Sequence, residues 1–325
     1  MVEIRGRLGE GDLLGVVRAA FGERELVSVE RLRGGSKKGV YRLVLDDRTT
    51  SIAYVWNAEE NYWPDAASQD QNDPFGHADG LDLFEAAHAA LSSIAVRVPR
   101  VVMVDRSRSL LAGEVAVLED VRGGTLEALR ERDSRRASRV LARLGDVVRA
   151  MQDSRRDRYG RPGVDRAGDT DPVEQIVLRR ALGQLAETAA RVDRLAAVEH
   201  RLRDLLCERH AAVAPRTEYG FIHGELGPDH VLVDDHDEPV LIDIEGAMFF
   251  DVEWEHAFLE LRFGSDYPFF RRAGLDRDRM RFYRLAMYLS LVAGPLRLLD
   301  GDFPDRPVML EIVEQNIDRT LAQLT

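Results

Sequence analysis

The chain reads as an α+β protein. It begins with an antiparallel five-stranded sheet and one helix beside it. A mainly helical part with a single hairpin follows. Three observations predict this. Residues 25–57 hold three strand-like runs, "ELVSVERL", "GVYRLVLDD" and "TSIAYVWN", separated only by the turns "RGGSKK" and "DDRTT". After "RGGTL", residues 122–126, the apolar positions take up a helical period. Near the end, "VLVD" and "PVLIDI" are apolar runs joined by "DHDE", residues 235–238.

The elements follow in order. Residues 11–22, "GDLLGVVRAAFG", predict a short amphipathic helix, and the three strands then form a meander. Residues 57–80 are polar and rich in Pro, Gly, Asp and Asn, so they form a long loop; loops of that length usually serve function. "LDLFEAAHAALSSI" predicts a helix with Leu81, Phe84, Ala87, His88 and Leu91 on one face. "VRVPRVVMVD" and "GEVAVLEDV" complete the sheet. Beyond it, "TLEALRERD" and "RASRVLARLGDVVRAMQDS" are helical and lead into a polar loop over 154–170. Asp171 and Pro172 read as the N-cap and first residue of the next helix. That stretch runs to about His210 as one or two helices and buries Leu195, Val198, Leu202, Leu205 and Leu206. The hairpin segment and further helices finish the chain, with no internal repeat.

The 325 residues fit one large domain or two lobes, and 45% hydrophobic content can bury a sizeable core. A formal net charge of −12 argues against nucleic-acid binding and favours neutral or cationic partners. Cys207 is the only cysteine, which excludes an internal disulfide and points to a reducing compartment. "MVEIRGRLGEGD" at the start has no apolar signal segment, and the apolar run "YRLAMYLSLVAGPL" is too short to span a bilayer. A soluble cytoplasmic protein without a membrane partner is expected. Lys37 and Lys38 are the only lysines among 45 basic residues, and they sit side by side in a glycine-rich turn.

The hairpin carries the chemistry. Centred between His236 and Asp237, it sets His230 opposite Asp243, with Cβ atoms roughly 5 Å apart. An imidazole and a carboxylate then meet at the open end, where a divalent metal can sit between them. Glu225 lies in a loop with Gly224, Gly227 and Pro228 and approaches the same place. From the residues alone, an acidic loop on a surface hairpin would show the same pattern.

"HGELGPDHVLVD", residues 223–234, and "LIDIE", residues 241–245, resemble the catalytic segment of the aminoglycoside phosphotransferases and related small-molecule kinases. That family has His-Gly-Asp, then Asn, then Ile-Asp. The resemblance implies a bilobal protein-kinase-like fold, with residues 1–120 as the nucleotide-binding lobe and 121–325 as the acceptor-binding lobe. It gives Glu225 the place of the catalytic aspartate, His230 that of a metal-binding asparagine and Asp243 that of the metal-binding aspartate. His223 becomes a structural loop histidine and Asp251, in "FFDVEWEHA", a structural brace. Glu for Asp lengthens the arm by a methylene. His for Asn exchanges an oxygen donor for a nitrogen, which suits Mn²⁺ better than Mg²⁺, or leaves His230 to hydrogen-bond a phosphate. Asp229 is a reserve oxygen ligand.

The same resemblance calls for ATP or GTP, a divalent cation (Mg²⁺ or Mn²⁺) and a small-molecule hydroxyl acceptor. Such kinases usually supply a lysine from the third strand, where this chain has Tyr54. "GGSKKG" fits a kinase-type glycine-rich hairpin: Gly35, Ser36 and Gly39 supply backbone amides for the phosphates. With-no-lysine protein kinases move the lysine to the second strand in a Gly-Ser-x-Lys-x-Val-Tyr loop. Gly35-Ser36-Lys37-Lys38-Gly39-Val40-Tyr41 is similar and places Lys38 there, with Lys37 as fallback and Glu85 as the candidate partner. Glu119 and Val121 are the expected backbone contacts to the purine. Helices over 171–210 and 278–299, with loops 154–170 and 263–270, would shape the acceptor cleft. Glu253, Glu255, Glu260 and Asp266 would suit a cationic acceptor there, although most are expected to be solvated or to brace arginines such as Arg262. Trp56, Tyr62 and Trp63 flank the long loop as lid or buried anchor. The implied function is inactivation of an aminoglycoside, cyclic-peptide or nucleoside antibiotic. The alternatives are a metabolic kinase for a choline-like, sugar or amino-alcohol acceptor and a non-catalytic nucleotide-binding pseudokinase.

Overall fold

The computed structural model describes residues 7–63, 74–76, 79–164 and 171–324. All five expected strands form: β1 (Leu26–Arg31), β2 (Gly39–Leu45), β3 (Thr50–Trp56), β4 (Val101–Asp105) and β5 (Glu114–Glu119). They make one antiparallel sheet in the order β1-β2-β3-β5-β4. Alternation along β3 divides the two faces. Ala53 and Val55 pack with Tyr41, Leu43, Val115 and Val117 under α1 (Glu10–Phe21), which contributes Leu13, Val16 and Val17. Ile52, Tyr54 and Trp56 face the other way, onto Leu81, Phe84, Ala87 and Leu91 of α2 (Leu81–Ser93). Helical spacing puts those four residues on one stripe. His88 lies beside the stripe and hydrogen-bonds the Pro99 carbonyl at 3.0 Å.

The second part opens with α3 (Leu126–Arg132), capped by Thr125, and α4 (Ser134–Asp153), capped by Asp133. Beyond α4 come α5 (Val173–Ala189), α6 (Asp193–Ala196) and α7 (Glu199–Ala211), so the expected long stretch is three helices. Pro172 is the N-cap of α5 and not its first turn; Asp171, expected to cap it, pairs with Arg179 at 2.9 Å. The chain ends in α8 (Val252–Phe263), α9 (Arg277–Asp300) and α10 (Arg306–Leu321). Parts of loops 57–80 and 154–170 lie outside the described residues. Among the described residues no helix is long and apolar enough to cross a membrane.

Two features of the strands were not expected. First, β6 (Arg155–Arg156), β7 (Tyr219–Ile222) and β10 (Met248–Phe250) form a small sheet in the order β10-β7-β6. Every residue of β7 and β10 is buried, so neither shows the alternation that marks a half-buried strand. Second, the hairpin of β8 (Val231–Val233) and β9 (Pro239–Leu241) pairs Val231 with Leu241 and Val233 with Pro239. Its centre is therefore His236, and Ile242 stands opposite His230: the Ile242 amide donates to the His230 carbonyl at 3.1 Å. The expected register was wrong by one residue, which in a strand exchanges the faces.

The hairpin is tied to both parts of the chain. The Leu241 amide donates to the Arg97 carbonyl at 3.0 Å, and the Val233 amide to the Gly124 carbonyl at 2.9 Å. Gly123 lies so close to β8 that a Cβ there would be 1.8 Å from the Val233 carbonyl oxygen. The connection between β5 and α3 is thus pressed onto the hairpin that carries the chemistry.

Candidate active site

Although His230 and Asp243 are not a strand pair, their side chains meet. Asp243 has left-handed backbone angles, φ 58° and ψ 46°, which turn the chain out of β9 into a short 3₁₀ turn over 244–246. Aspartate is one of the few residues that tolerate this region. The turn brings Asp243 Oδ2 to 3.7 Å from His230 Nε2, and Asp229 Oδ2 lies at the same distance on the other side. His230 Nδ1 is 2.7 Å from the Glu225 carbonyl, which only accepts, so Nδ1 carries a proton and Nε2 faces the carboxylates. Burial opposes the charge of His230, but Asp243 and Asp229 outweigh it and hold the imidazole above its ordinary value.

Lys38 fills the centre of the site. Its ammonium is 2.7 Å from Asp243 Oδ1 and 2.6 Å from Glu245 Oε1, with the chain 5% exposed at that residue. The stem passes over Tyr54, with Nζ 4.9 Å from the ring centroid. Tyr54 occupies the third-strand position where a lysine was sought, and the second-strand lysine crosses above its ring. Burial opposes the Lys38 charge, yet Asp243 and Glu245 raise its pKa well above the ordinary value. Lys38 in turn holds the Asp243 carboxyl far below the carboxylate range. Glu245 is pushed up, chiefly by burial. The expected partner Glu85 makes no such contact. It lies beside the buried stripe of α2 and pairs with Arg106 at the surface. Glu245, two residues beyond Asp243, takes that role; the signal was a second acid in "DIE".

Glu225 is exposed on the loop between β7 and β8 and lines a large cleft. The loop is braced from below. Glu255 of α8 accepts the Gly224 amide at 2.8 Å, and burial pushes its carboxyl up to about 7. Nε2 of His223 donates to the Ile242 carbonyl at 3.0 Å. Burial, then His230 stacked at 6.0 Å, depress its pKa to about 4. Asp251 is fully buried against Arg279 and Tyr283, as a brace should be.

At the glycine-rich turn, Gly35 has φ 78°, and a Cβ there would meet the Lys38 carbonyl at 2.6 Å, so the tight turn requires glycine. Ser36 anchors the following segment: its carbonyl accepts the Tyr62 amide at 2.9 Å and its hydroxyl accepts the Trp63 indole N–H at 2.8 Å. Gly39 packs on Glu60, a buried acid that the sequence reading missed, which holds Arg31 at 2.6 Å and bonds Tyr41. The Lys37 ammonium lies 5.7 Å from the centroid of the Trp63 ring. Glu119 ends β5, with its amide taken by the Arg100 carbonyl at 2.9 Å and its carboxylate by Arg97 at 2.6 Å. Val121 is buried in the connection to α3. Trp56 is a core residue packed with Tyr54 and Phe84, Tyr62 packs on Phe303, and only Trp63 reaches the cleft.

The cleft has a volume of about 840 Å³ and is walled by α5, α8, α9 and α10, with Lys37, Glu225 and His230 at one end. The four acids once considered for it are turned elsewhere: Glu253 to Arg216, Glu255 to Gly224, Glu260 to Arg284 and Asp266 to Arg130. They brace, as expected, but Arg262 is held by Asp229 at 2.5 Å.

The model of the phosphotransferase enzyme family (APH) matches residues 72–288. No curated protein matches this chain. Among solved structures, the aminoglycoside phosphotransferase APH(4)-Ia is similar at a TM-score of 0.65 and 17% identity, over 95% of this chain and 98% of that one. Spectinomycin phosphotransferase APH(9)-Ia, in complex with ADP and spectinomycin, gives 0.64 at 12% identity over 98% and 99%. Choline kinase LicA from Streptococcus pneumoniae gives 0.63 at 13% identity over 97% and 98%. These likenesses show the fold.

Proposed function

The chain belongs to the phosphotransferase enzyme family, and we propose that it moves the γ-phosphoryl group of ATP or GTP to a hydroxyl of a small molecule. Residues 1–120 form the nucleotide lobe in this reading and 121–325 the acceptor lobe. One observation carries it: Lys38, Asp243, His230 and Glu225 converge where the glycine-rich turn meets the end of the cleft. Phosphoryl transfer is largely positioning and charge stabilisation, so a buried cation beside the phosphates and a carboxylate beside the acceptor are its main needs.

Glu225 orients the acceptor hydroxyl and takes its proton as the bond to phosphorus forms. Lys38 and the amides of Gly35 to Gly39 neutralise the phosphates, with Glu245 keeping the ammonium in place when Asp243 turns to other work. Glu119 and Val121 flank the purine. The donor set fits a divalent cation. Asp243 supplies an oxygen, and the Nδ1 proton bonded to Glu225 leaves Nε2 of His230 for ligation, an arrangement typical of metal-binding histidines. Among the described residues no group of three His, Cys, Asp or Glu is set to hold a metal alone, which suits a cation that also takes ligands from nucleotide phosphates. Held there by Asp243 and His230, Mg²⁺ or Mn²⁺ would supply positive charge that offsets the negative charge of the phosphates.

An antibiotic is the acceptor we favour, since two of the similar structures are antibiotic phosphotransferases; likeness to a choline kinase favours a metabolic acceptor as second reading. A screen of hydroxylated acceptors with ATP and GTP, read by phosphate-mass gain, separates the two. Glu225→Ala should lower acceptor-dependent kcat about 10²- to 10⁴-fold. Unchanged turnover would remove Glu225 from the chemistry, and a wild-type protein that binds nucleotide without any turnover would be a pseudokinase.

A further inference from the structure

We infer that Trp63 is a positioning residue: it ties the glycine-rich turn to the wall of the cleft, so that nucleotide affinity is set in part from the acceptor side. This rests on reading the turn as the nucleotide site. Residues 60–63 carry the tie and follow closely on β3. At one end is Glu60, 1% exposed, which holds Arg31 of β1 and Tyr41 of β2. It packs so tightly on Gly39 that a Cβ there would lie 2.6 Å from the Glu60 carboxyl carbon. At the other end, Tyr62 packs edge-on against Phe303, in the connection between α9 and α10, with ring centroids 5.4 Å apart. The Trp63 ring reaches α9 itself, where a Cβ on Gly294 would stand 3.4 Å from its Cη2.

Between these ends the segment grips Ser36 twice. The Tyr62 amide donates to the Ser36 carbonyl at 2.9 Å, and the Trp63 indole N–H donates to the Ser36 hydroxyl at 2.8 Å. The next residue of the turn, Lys37, sets its ammonium 5.7 Å from the indole centroid. The indole is half-buried and lines the cleft beside Lys37, at the end where Glu225 and His230 stand. One ring therefore meets the tip of the turn, helix α9 and the cleft. The glycines make this matter. Gly34 and Gly35 have φ 93° and 78°, and a glycine backbone has the most conformational freedom to lose. Left unheld, such a turn would have to be ordered by the nucleotide itself, and apparent affinity falls with the fraction of protein already in the competent shape. The two hydrogen bonds on Ser36 set that shape beforehand. Because the donating ring rests on α9, its grip depends on what α9 presents to it.

The test reads the affinity of the full-length protein for AMP-PNP and GMP-PNP with Mg²⁺ by calorimetry, beside thermal melts without nucleotide. Trp63→Phe keeps a ring and removes the donor; Ser36→Ala removes the acceptor. Each should weaken binding of the preferred analogue about 3- to 10-fold, the usual reach of one hydrogen bond. The double variant should bind no more weakly than either, since both remove the same contact. Ser36→Thr keeps the hydroxyl and should bind as the wild type does. Gly294→Leu presses on the indole from α9. It should weaken binding in the wild-type background and leave it unchanged in the Trp63→Ala background. A merely structural tryptophan would move the melts and leave the affinities of the folded variants alone. Unchanged or tighter binding in Trp63→Phe and Ser36→Ala, effects that add in the double variant, or a Gly294→Leu effect that survives without the indole overturns the inference. A folded wild type that binds neither analogue removes the nucleotide reading of the turn, and the inference with it. One that binds nucleotide and shows these variant effects but transfers no phosphate leaves the inference standing and removes only the phosphotransfer reading.

Discussion

At the scale of single residues, two side chains concentrate the consequences. Lys38 lies between the buried Glu245 carboxylate and the partly exposed Asp243 carboxylate, so its removal strands negative charge. Lys38→Ala should lower stability by about 3–5 kcal/mol, the usual effect of breaking a buried pair. It should also lower kcat about 10²- to 10³-fold at a folded-state temperature. Lys37→Ala should leave both nearly unchanged, and a nucleotide KM and kcat indifferent to Lys38 would end its assignment. At His230 the ring nitrogen facing Asp243 is a softer donor than an amide oxygen. His230→Asn should move the activity ratio from Mn²⁺ toward Mg²⁺, and the nitrogen couplings in the Mn²⁺ resonance spectrum of the nucleotide complex should disappear. Lys38 was singled out over Lys37 by the similarity of its loop to the with-no-lysine pattern, and its ammonium does reach Asp243 and Glu245. Glu245 had a signal only in its place beside Asp243 and Glu60 had none, since an acid's burial depends on what folds over it.

Among elements, sequence reading worked where alternation or helical spacing existed. β2 alternates and α2 shows its stripe, while β1 and β3 are bounded by turns on both sides, so each was placed within a residue or two. It failed where elements are short and enclosed. β7 and β10 bury every residue and so carry no period. In the β8–β9 hairpin the connection has five residues, 234–238, and not the expected four, so the expected pairing was one residue out. His230 and Asp243 met anyway, because a left-handed residue at the strand end undid the face change. The connection at Gly123 gives this scale its prediction. A methyl group at Gly123 collides with the β8 backbone, and Gly123→Ala should cost about 1–3 kcal/mol. It should also lower kcat at temperatures where the protein is folded, as the hairpin shifts; thermal melts and kinetics together check this.

For the molecule as a whole, charge and pH matter most. Net charge pointed toward neutral or cationic partners, and an average over 325 residues does not say which of them line a cleft. Burial also creates a titration in the neutral range. Glu255 has a folded pKa raised to about 7, so the folded state binds a proton more tightly than the unfolded state. Its contribution to stability is fully present at low pH, declines above the ordinary carboxylate value and is lost once pH passes about 7. Glu255→Gln should remove that decline. The difference in unfolding free energy between variant and wild type should grow in the variant's favour by up to about 3 kcal/mol from pH 5 to 8. Denaturant titrations at several pH values measure it, and parallel curves would mean that Glu255 titrates as an ordinary carboxylate.

The left-handed turn at Asp243 also bears on how this lineage can change. Asparagine and glycine accept those backbone angles, and each is a single base substitution away from an aspartate codon. A drift that abolishes ligation at this position can therefore leave the fold whole. Within such a population, folded but silent copies would arise by point mutation and persist as raw material for binding roles without catalysis.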